Sequence, residues 1–413
     1  MNPTSISLHK FKAKRLPLNW EFVPVGDVIL ESKYGTNQAS VKNGNIPVVG
    51  MKDLKDGKII TNNLVRTNLS IEDQQKYLLS KGDILINRTN SFDLVGKVGI
   101  FDSDERVAYA SYLVKLKLNM NKALPNFLNY WLNSFIAQKN IKRIATRAIG
   151  QANVNPTELK KHCYCPIPPL TEQKGIANLL STWDEAIDKI ERLIQAKEKK
   201  LKGKIQRIMG RQAIVEKKWP VLHLSELFTE VTRKVGDKEL IPYSISAGIG
   251  FVSQREKWGK NISGSQHKKY THLKAGEFSY NKGNSKRYKQ GCVYLLKEGE
   301  ICVPNVFISF KPKPQKIVPE FFEHYFIADY HARELKRYIT SSARSDGLLN
   351  LNKKDFFKIL VPCPSRIEQK AIAETLTFLQ KEIDLLKQLA EKYKLQKRGL
   401  MQKLLSGEWR VRC

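Results

Sequence analysis

Two stretches of this chain carry apolar residues at alternating intervals of four and three. From Glu172 to Met209 they are Ile176, Leu180, Trp183, Ile187, Ile190 and Ile194. The second stretch has Ile372, Leu376, Leu379, Ile383 and Leu386, continued by Ala390, Tyr393, Leu400 and Leu404. This is the a/d seam of a heptad, and it predicts two long helices whose stripes can pack on one another. Each is expected to run for about 38 residues, roughly 57 Å at 1.5 Å per residue. Ser365 and Glu368 form a capping box at the second start, where hydroxyl and carboxylate satisfy first-turn amides. The first start has Pro169 in place of the serine, so Thr171 is the expected cap there. Gly210 and Gly407 are placed to end the helices.

The two stretches are copies. Pro168-Pro169-Leu170-Thr171-Glu172-Gln173-Lys174 is answered 196 positions later (Glu172 to Glu368) by Pro364-Ser365-Arg366-Ile367-Glu368-Gln369-Lys370. At the same offset Trp183 meets Leu379, Ile187-Asp188 meets Ile383-Asp384, Gly203 meets Gly399 and Gln206 meets Gln402. Two equal helices, each following a globular block, suit an antiparallel pair related by a pseudo-two-fold repeat. An interior helical glycine costs roughly 1 kcal/mol relative to alanine, so Gly203 and Gly399 are expected to mark close approach of the two backbones.

The blocks ahead of the helices, 16–169 and 218–364, are related but divergent. Each opens with a tryptophan, Trp20 or Trp219, and reaches a Val25-Gly26-Asp27-Val28 or Leu224-Ser225-Glu226-Leu227 corner. Each then has a glycine-acid-strand-loop unit, Lys81 to Arg88 in the first and Ala275 to Lys282 in the second. Leu124-Pro125 and Val318-Pro319 each open a helix with proline in its first turn. The expected architecture is α+β: two globular domains separated by two long helices forming an antiparallel coiled coil. Its boundaries fall at 1–170, 171–214, 215–364 and 365–413.

Charge narrows the function. The 413 residues hold 71 Lys and Arg against 40 Asp and Glu, a formal net charge of +31. A surplus spread over the whole length points to a polyanion such as DNA. No stretch approaches the roughly 18 apolar residues that span a bilayer, and the N-terminus lacks the apolar block of a signal peptide; no membrane partner and a cytoplasmic location are expected. The six cysteines form no C-x2-C pair of a zinc site and are expected to be reduced thiols.

Candidate DNA contacts fall on the loops after the paired strands. In the first block these are Asn87, Arg88, Thr89, Asn90 and Ser91, with Lys97 beyond; in the second they are Asn281, Lys282, Asn284, Ser285, Lys286, Arg287, Tyr288 and Lys289. Arginine pairs with guanine edges, asparagine reads adenine, and hydroxyls serve base or phosphate. Arg147 and Gln151 occupy a glycine-bearing basic turn equivalent to the one around Arg344, suited to phosphate. A solvated basic loop would have the same composition. Enzymatic signals are missing: there is no G-x-x-x-x-G-K-[ST] loop, and Gly248-Ile249-Gly250-Phe251 lacks the third glycine of a dinucleotide fingerprint. Nor is there an Asn-Pro-Pro or Asp-Pro-Pro motif with a following aromatic residue, as amino-methyltransferases carry. Glu198-Lys199-Lys200, which looks like the end of a nuclease motif, lies on a charged helix face.

The twice-used Pro-Pro-x-x-Glu-Gln-x-x-Ile entry into a long helix, with its two divergent blocks, resembles the specificity subunit of type I restriction–modification systems along nearly the whole chain. The resemblance implies that the blocks are target recognition domains, each reading one half of a split, asymmetric DNA sequence. It implies that the helices, through Ile176, Leu180, Trp183, Ile187 and Ile190 and through Ile372, Leu376, Leu379, Ile383 and Leu386, form the spacer and partner surface. The implied partners are double-stranded DNA, two modification (methyltransferase) subunits and restriction (motor/nuclease) subunits. S-adenosylmethionine, ATP and magnesium would belong to those partners, with no cofactor, metal or catalytic residue in this chain. The competing reading is a self-contained DNA-modifying enzyme, a nuclease or methyltransferase with duplicated DNA-binding domains, which would need a cofactor or metal constellation. The chain alone is therefore expected to bind DNA weakly, more weakly still as salt rises, and to catalyse nothing. Site-specific methylation by the pure chain with S-adenosylmethionine would contradict this.

Overall fold

A computed structural model of the chain describes residues 16–260, 264–283, 287–339 and 348–411. They form two compact units, residues 1–190 with 389–413, and residues 191–388. The long helices, Leu170–Met209 and Arg366–Leu405, are 40 residues each, and each divides between the two units.

The seam is buried as its spacing requires. Ile176 and Leu180 are fully buried, Ile187, Ile194 and Leu201 nearly so, and Leu376, Ile383, Ala390 and Leu404 match them on the second helix. Trp183, Ile190, Ile372, Leu379 and Leu386 are half-buried. In unit 1 the helices run antiparallel: Trp183 meets Tyr393 edge to face at 5.6 Å, Asp184 pairs with Lys397, and Glu172 pairs with Arg410 beyond the second helix. In unit 2 Lys197 pairs with Glu382 at 2.7 Å and Lys387 with Glu198 at 2.6 Å. Gly203 and Gly399 are not points of close approach. A Cβ added at either would meet nothing within 4 Å.

The repeated motif at each helix start is a clamp. Gln173 is fully buried; its carbonyl oxygen accepts from Leu124 N at 2.8 Å, and its amide donates to Lys122 O at 2.8 Å and Pro168 O at 2.9 Å. Gln369 repeats every bond, accepting from Val318 N at 2.9 Å and donating to Lys316 O at 3.0 Å and Pro364 O at 2.9 Å. The preceding glutamates are also equivalent: Trp20 Nε1 donates to Glu172 Oε2 at 3.0 Å, and Trp219 Nε1 to Glu368 Oε1 at 3.2 Å. Ser365 caps as expected, its N–H and hydroxyl both donating to Glu368 Oε2 at 3.1 and 2.8 Å. These bonds, with the one from Trp219, hold the Glu368 carboxyl below the usual carboxylate range. Thr171 does not cap the first helix. The helix already begins at Leu170, leaving Thr171 exposed inside its first turn, and Glu172 is held by Trp20 and Arg410 instead. Gly407 closes the second helix with φ +73°, whereas Gly210 is extended and starts a further short helix, Arg211–Glu216.

Each globular block begins and ends on one antiparallel strand pair, Glu21–Pro24 with Tyr164–Ile167 and Val221–His223 with Leu360–Pro362. The corners behind the first strands are helical turns, Val25–Val28 and Leu224–Leu227. Unit 1 is built on a six-stranded sheet ordered Ile29–Tyr34, Leu113–Leu118, Ile84–Asn87, Val98–Ile100, Gly57–Ile59 and Leu54–Lys55. Unit 2 has a four-stranded sheet, Phe228–Glu230, Ile308–Pro312, Phe278–Asn281 and Cys292–Leu295. The glycine-acid signature before each central strand is a turn: Gly82 and Gly276 adopt φ +92° and +84°, which favours glycine. Asp83 accepts from Ser80 N at 2.8 Å and Glu277 from Lys274 N at 2.9 Å. Pro125–Leu132 and Pro319–Ile327 are helices with proline in the first turn.

Substituting the clamp removes the hydrogen bonds to three backbone groups, each contributing about 0.5–1.5 kcal/mol. Gln173→Ala is expected to destabilise unit 1, and Gln369→Ala unit 2, by about 2–4 kcal/mol in urea unfolding. A loss below about 1 kcal/mol in both would show the clamps to be dispensable.

Candidate nucleic-acid interface

The chain leaves the central strand of unit 1 at Asn87 and makes a second, smaller sheet. Thr89–Asn90 pairs with Gln151–Asn153, which pairs in turn with Thr146–Ala148. Arg88 is fixed on both sides, its N–H donating to Tyr112 O at 3.0 Å and its carbonyl accepting from Val154 N at 2.7 Å. The two basic loops that sequence spacing kept apart, 87–91 and 145–151, are thus one element.

Within that element the candidate residues have different roles. Asn87 is fully buried; its Oδ1 accepts from Thr89 N at 3.3 Å, and its Nδ2 has no partner among the described residues. It shapes the turn, with its side chain covered. Thr89 is buried as well, and its Oγ1 accepts from Arg88 Nε at 3.1 Å. The Arg88 guanidinium, half-buried, lies 4.8 Å from the Tyr34 ring centre. Asn90 is half-buried with Oδ1 turned to Ser91 N at 2.8 Å. Ser91, Lys97, Arg147 and Gln151 are exposed. Arg147 stacks 3.7 Å from the centre of Phe92, and Lys142 Nζ lies 5.8 Å from the same ring. A guanidinium held over an aromatic face is restrained, with its donors still available to a partner.

Unit 2 repeats the turn. Asn281 Oδ1 accepts from Gly283 N at 2.9 Å and its Nδ2 donates to Ile245 O at 3.2 Å, so Asn87 and Asn281 share a structural role. Lys282, at the place of Arg88, accepts at its carbonyl from Leu349 N at 3.1 Å, and Gly283 bridges Leu348. Tyr288 is buried and donates to Ile327 O at 3.2 Å; it belongs to the core. Arg287 and Lys289 are exposed. Asp329, near Arg287, has its carboxyl pushed up to about 6 by burial, with Arg287 pulling it back down. Asn284, Ser285, Lys286 and Arg344 lie outside the described residues.

The helix residues expected to form a partner surface face inward. Ile176 and Leu180 sit in the unit 1 core with Phe127 and Leu128, and Trp183 is covered by Tyr393. Exposed instead are Ile367, Phe378 and Leu385 on the second helix, at 84, 71 and 56 %. Sequence reasoning missed these and the aromatic supports Tyr34 and Phe92. The helix residues were legible as apolar positions off the a/d seam, whereas the aromatic pairings had no sequence signal. Among the described residues no group of three or more His, Cys, Asp or Glu is placed to hold a metal ion, and no helix is long and apolar enough to cross a membrane.

The profile of the type I restriction modification DNA specificity domain matches this chain twice, over residues 17–198 and 217–394. The MjaX type I restriction enzyme specificity subunit of Methanocaldococcus jannaschii is 28% identical over 98% of this chain and 96% of its own length. The StySPI specificity subunit of Salmonella potsdam is 28% identical over 43% of this chain and 39% of its own. Among solved structures, the type I S subunit of M. genitalium superposes with a TM-score of 0.60 at 18% identity, covering 95% of this chain and 97% of that one. A chain from a structural study of type I complex assembly and conformational transition gives 0.55 at 14% identity, covering 96% and 100%.

The geometry separates shaping residues from contacting ones. Asn87→Ala is expected to cost stability, about 1 kcal/mol for the lost turn bond, without altering which DNA is preferred. Arg88→Ala or Arg287→Ala should relax preference within one half of the target by about 1–3 kcal/mol where the side chain reads a base. Competition between matched and mismatched duplexes measures this, and uniform weakening over all sequences would mark a phosphate contact.

Proposed function

The chain belongs to the type I restriction–modification DNA specificity family, and on that premise we propose that it reads a bipartite, asymmetric DNA target with one half-target per unit, using the sheet around Arg88 and Arg147 and the turn around Lys282 and Arg287. It is the sequence-reading component of its complex, not the catalytic one. The observation that carries the two-half reading is the repetition of the Trp–Glu–Gln clamp on two unlike sheets. A constant frame holding different surfaces suits two different half-targets. The basic excess supports the polyanionic partner.

The finer partnership is part of the same proposal. Two modification subunits dock on the outer faces of the long helices, where Ile367, Phe378 and Leu385 lie at helical spacing on an exposed side, and restriction subunits join them. S-adenosylmethionine, ATP and magnesium are bound by those partners, and the assembly works on DNA in the cytoplasm. The long helices set the gap between the half-targets, since each contributes one of its halves to either unit.

Exchange of residues 218–364 for another recognition domain is expected to change one half of the methylated sequence and leave the other intact. A change in both halves would end the independent-reading model. Inserting four helical residues after Gln195 lengthens one helix by about 6 Å and should alter the preferred gap with the half-target bases unchanged. Sequencing of methylated sites reads both outcomes, and an unaltered gap in a folded variant would show that the helices do not set it.

A further inference from the structure

Each unit leaves one isoleucine uncovered at the tip of an antiparallel hairpin, in unit 1 two adjacent strands of the three-stranded sheet and in unit 2 a two-stranded ribbon. In unit 1 Ala148 stands opposite Gln151 across the ribbon, so Ile149 and Gly150 alone make the connection. Gly150 takes the left-handed conformation, φ +74°, which glycine adopts at no steric cost. Ile149 is 106% exposed, and nothing stands within 4 Å of a Cβ built at Gly150. In unit 2 the ribbon is Tyr243–Ser246 with Gly250–Ser253. Its tip holds Ile249, 77% exposed, between Gly248 at φ +84° and Gly250 at φ +111°.

A single exposed isoleucine is ordinary; the surroundings of these two are not. The first tip is flanked by exposed Arg147 and Gln151, with the Arg147 guanidinium already set on Phe92. At the second, Arg287 Nη1 lies 3.2 Å from the place a Gly248 Cβ would occupy, and Lys257 Nζ donates to Ile245 O at 3.4 Å. Each ribbon thus ends in an apolar tip beside a cation, and the phosphate backbone offers nothing apolar for such a tip to cover. The major groove does, because it admits a two-stranded ribbon and displays the thymine C5 methyl group beside the hydrogen-bonding base edges.

We infer that Ile149 and Ile249 are base-contacting residues, each packing on the methyl group of a thymine in its own half-target while the neighbouring arginine holds a base edge or phosphate. This rests on the DNA-reading function proposed above. The test uses the full chain assembled with its modification subunits. The half-targets are first located by sequencing methylated DNA, and duplexes are then made in which each thymine is replaced in turn by uracil, which lacks only that methyl group.

At one thymine per half, the unsubstituted chain should lose about four-fold in affinity, the worth of one buried methyl group. Ile149→Ala should lose at least as much on the thymine duplex and nothing further with uracil in its half, while keeping the response of the other half. Ile249→Ala should behave reciprocally. Both side chains are exposed, so both variants should keep the unfolding midpoint of the parent chain. The inference is overturned for a unit whose variant binds like the parent, whose variant still responds in full to uracil, or whose half-target contains no thymine. An unsubstituted assembly that methylates no bipartite sequence would instead overturn the DNA-reading function, and this inference with it.

Discussion

A carboxamide buried at the start of each long helix ties three parts of a unit together. From the first turn of its own helix Gln173 bonds the loop before Pro125 and the turn at Pro168, and Gln369 does the same around Val318 and Pro364. Both glutamine side chains are fully buried. Any displacement of helix from block would therefore break several hydrogen bonds of a buried carboxamide at once. The tryptophan bonded to the preceding glutamate adds the first strand of the block to the same point. Strand pair, proline-started helix and long helix are thus oriented by one cluster, and everything further out in the sheets is free to differ.

That division explains how one frame can present two surfaces. The constant offset of 196 positions runs through the clamp's Glu and Gln and through the seam, where geometry tolerates little change. Beyond the central strands the units part company: six strands in one main sheet and four in the other. Core composition differs too. Unit 2 packs Phe228 edge to face against Phe278, Phe310 and Phe322 at 5.1–5.7 Å, whereas unit 1 fills the same role with Ile84, Ile86, Val114 and Trp131. A recognition surface carried on such sheets can change without disturbing the clamp behind it.

The clamps are equivalent but not identical. Glu172 is buried beneath Arg410 and Trp20, while Glu368 is exposed and is satisfied by Ser365 and Trp219. Arg410 comes from beyond the second helix, and Lys217, just ahead of Trp219 in the chain, lies over the Trp219 ring at 4.7 Å. Each tryptophan therefore has a cation beside it, one supplied from a distant segment and the other from its own. Pro169 in place of a serine at the first helix is consistent with that difference, because the carboxylate there already has other donors.

The amino-acid order by itself determined the duplication, the two helices and their seam, the capping box at Ser365, the prolines that start shorter helices and the glycine-acid turns. These follow from contacts a few residues long: heptad spacing, caps, and the conformational freedom of glycine. Tertiary structure decided what the polar loop residues do. Asn87 and Tyr288 have the composition of DNA contacts and are buried. Burial depends on segments remote in the chain, and only the pairing of Thr89–Asn90 with Gln151–Asn153 brings Arg88 and Arg147 onto one element. The same holds for Thr171 and the paired glycines: Trp20 and Arg410 hold Glu172, the residue after Thr171, and open space surrounds Gly203 and Gly399, as set by how the chain returns upon itself.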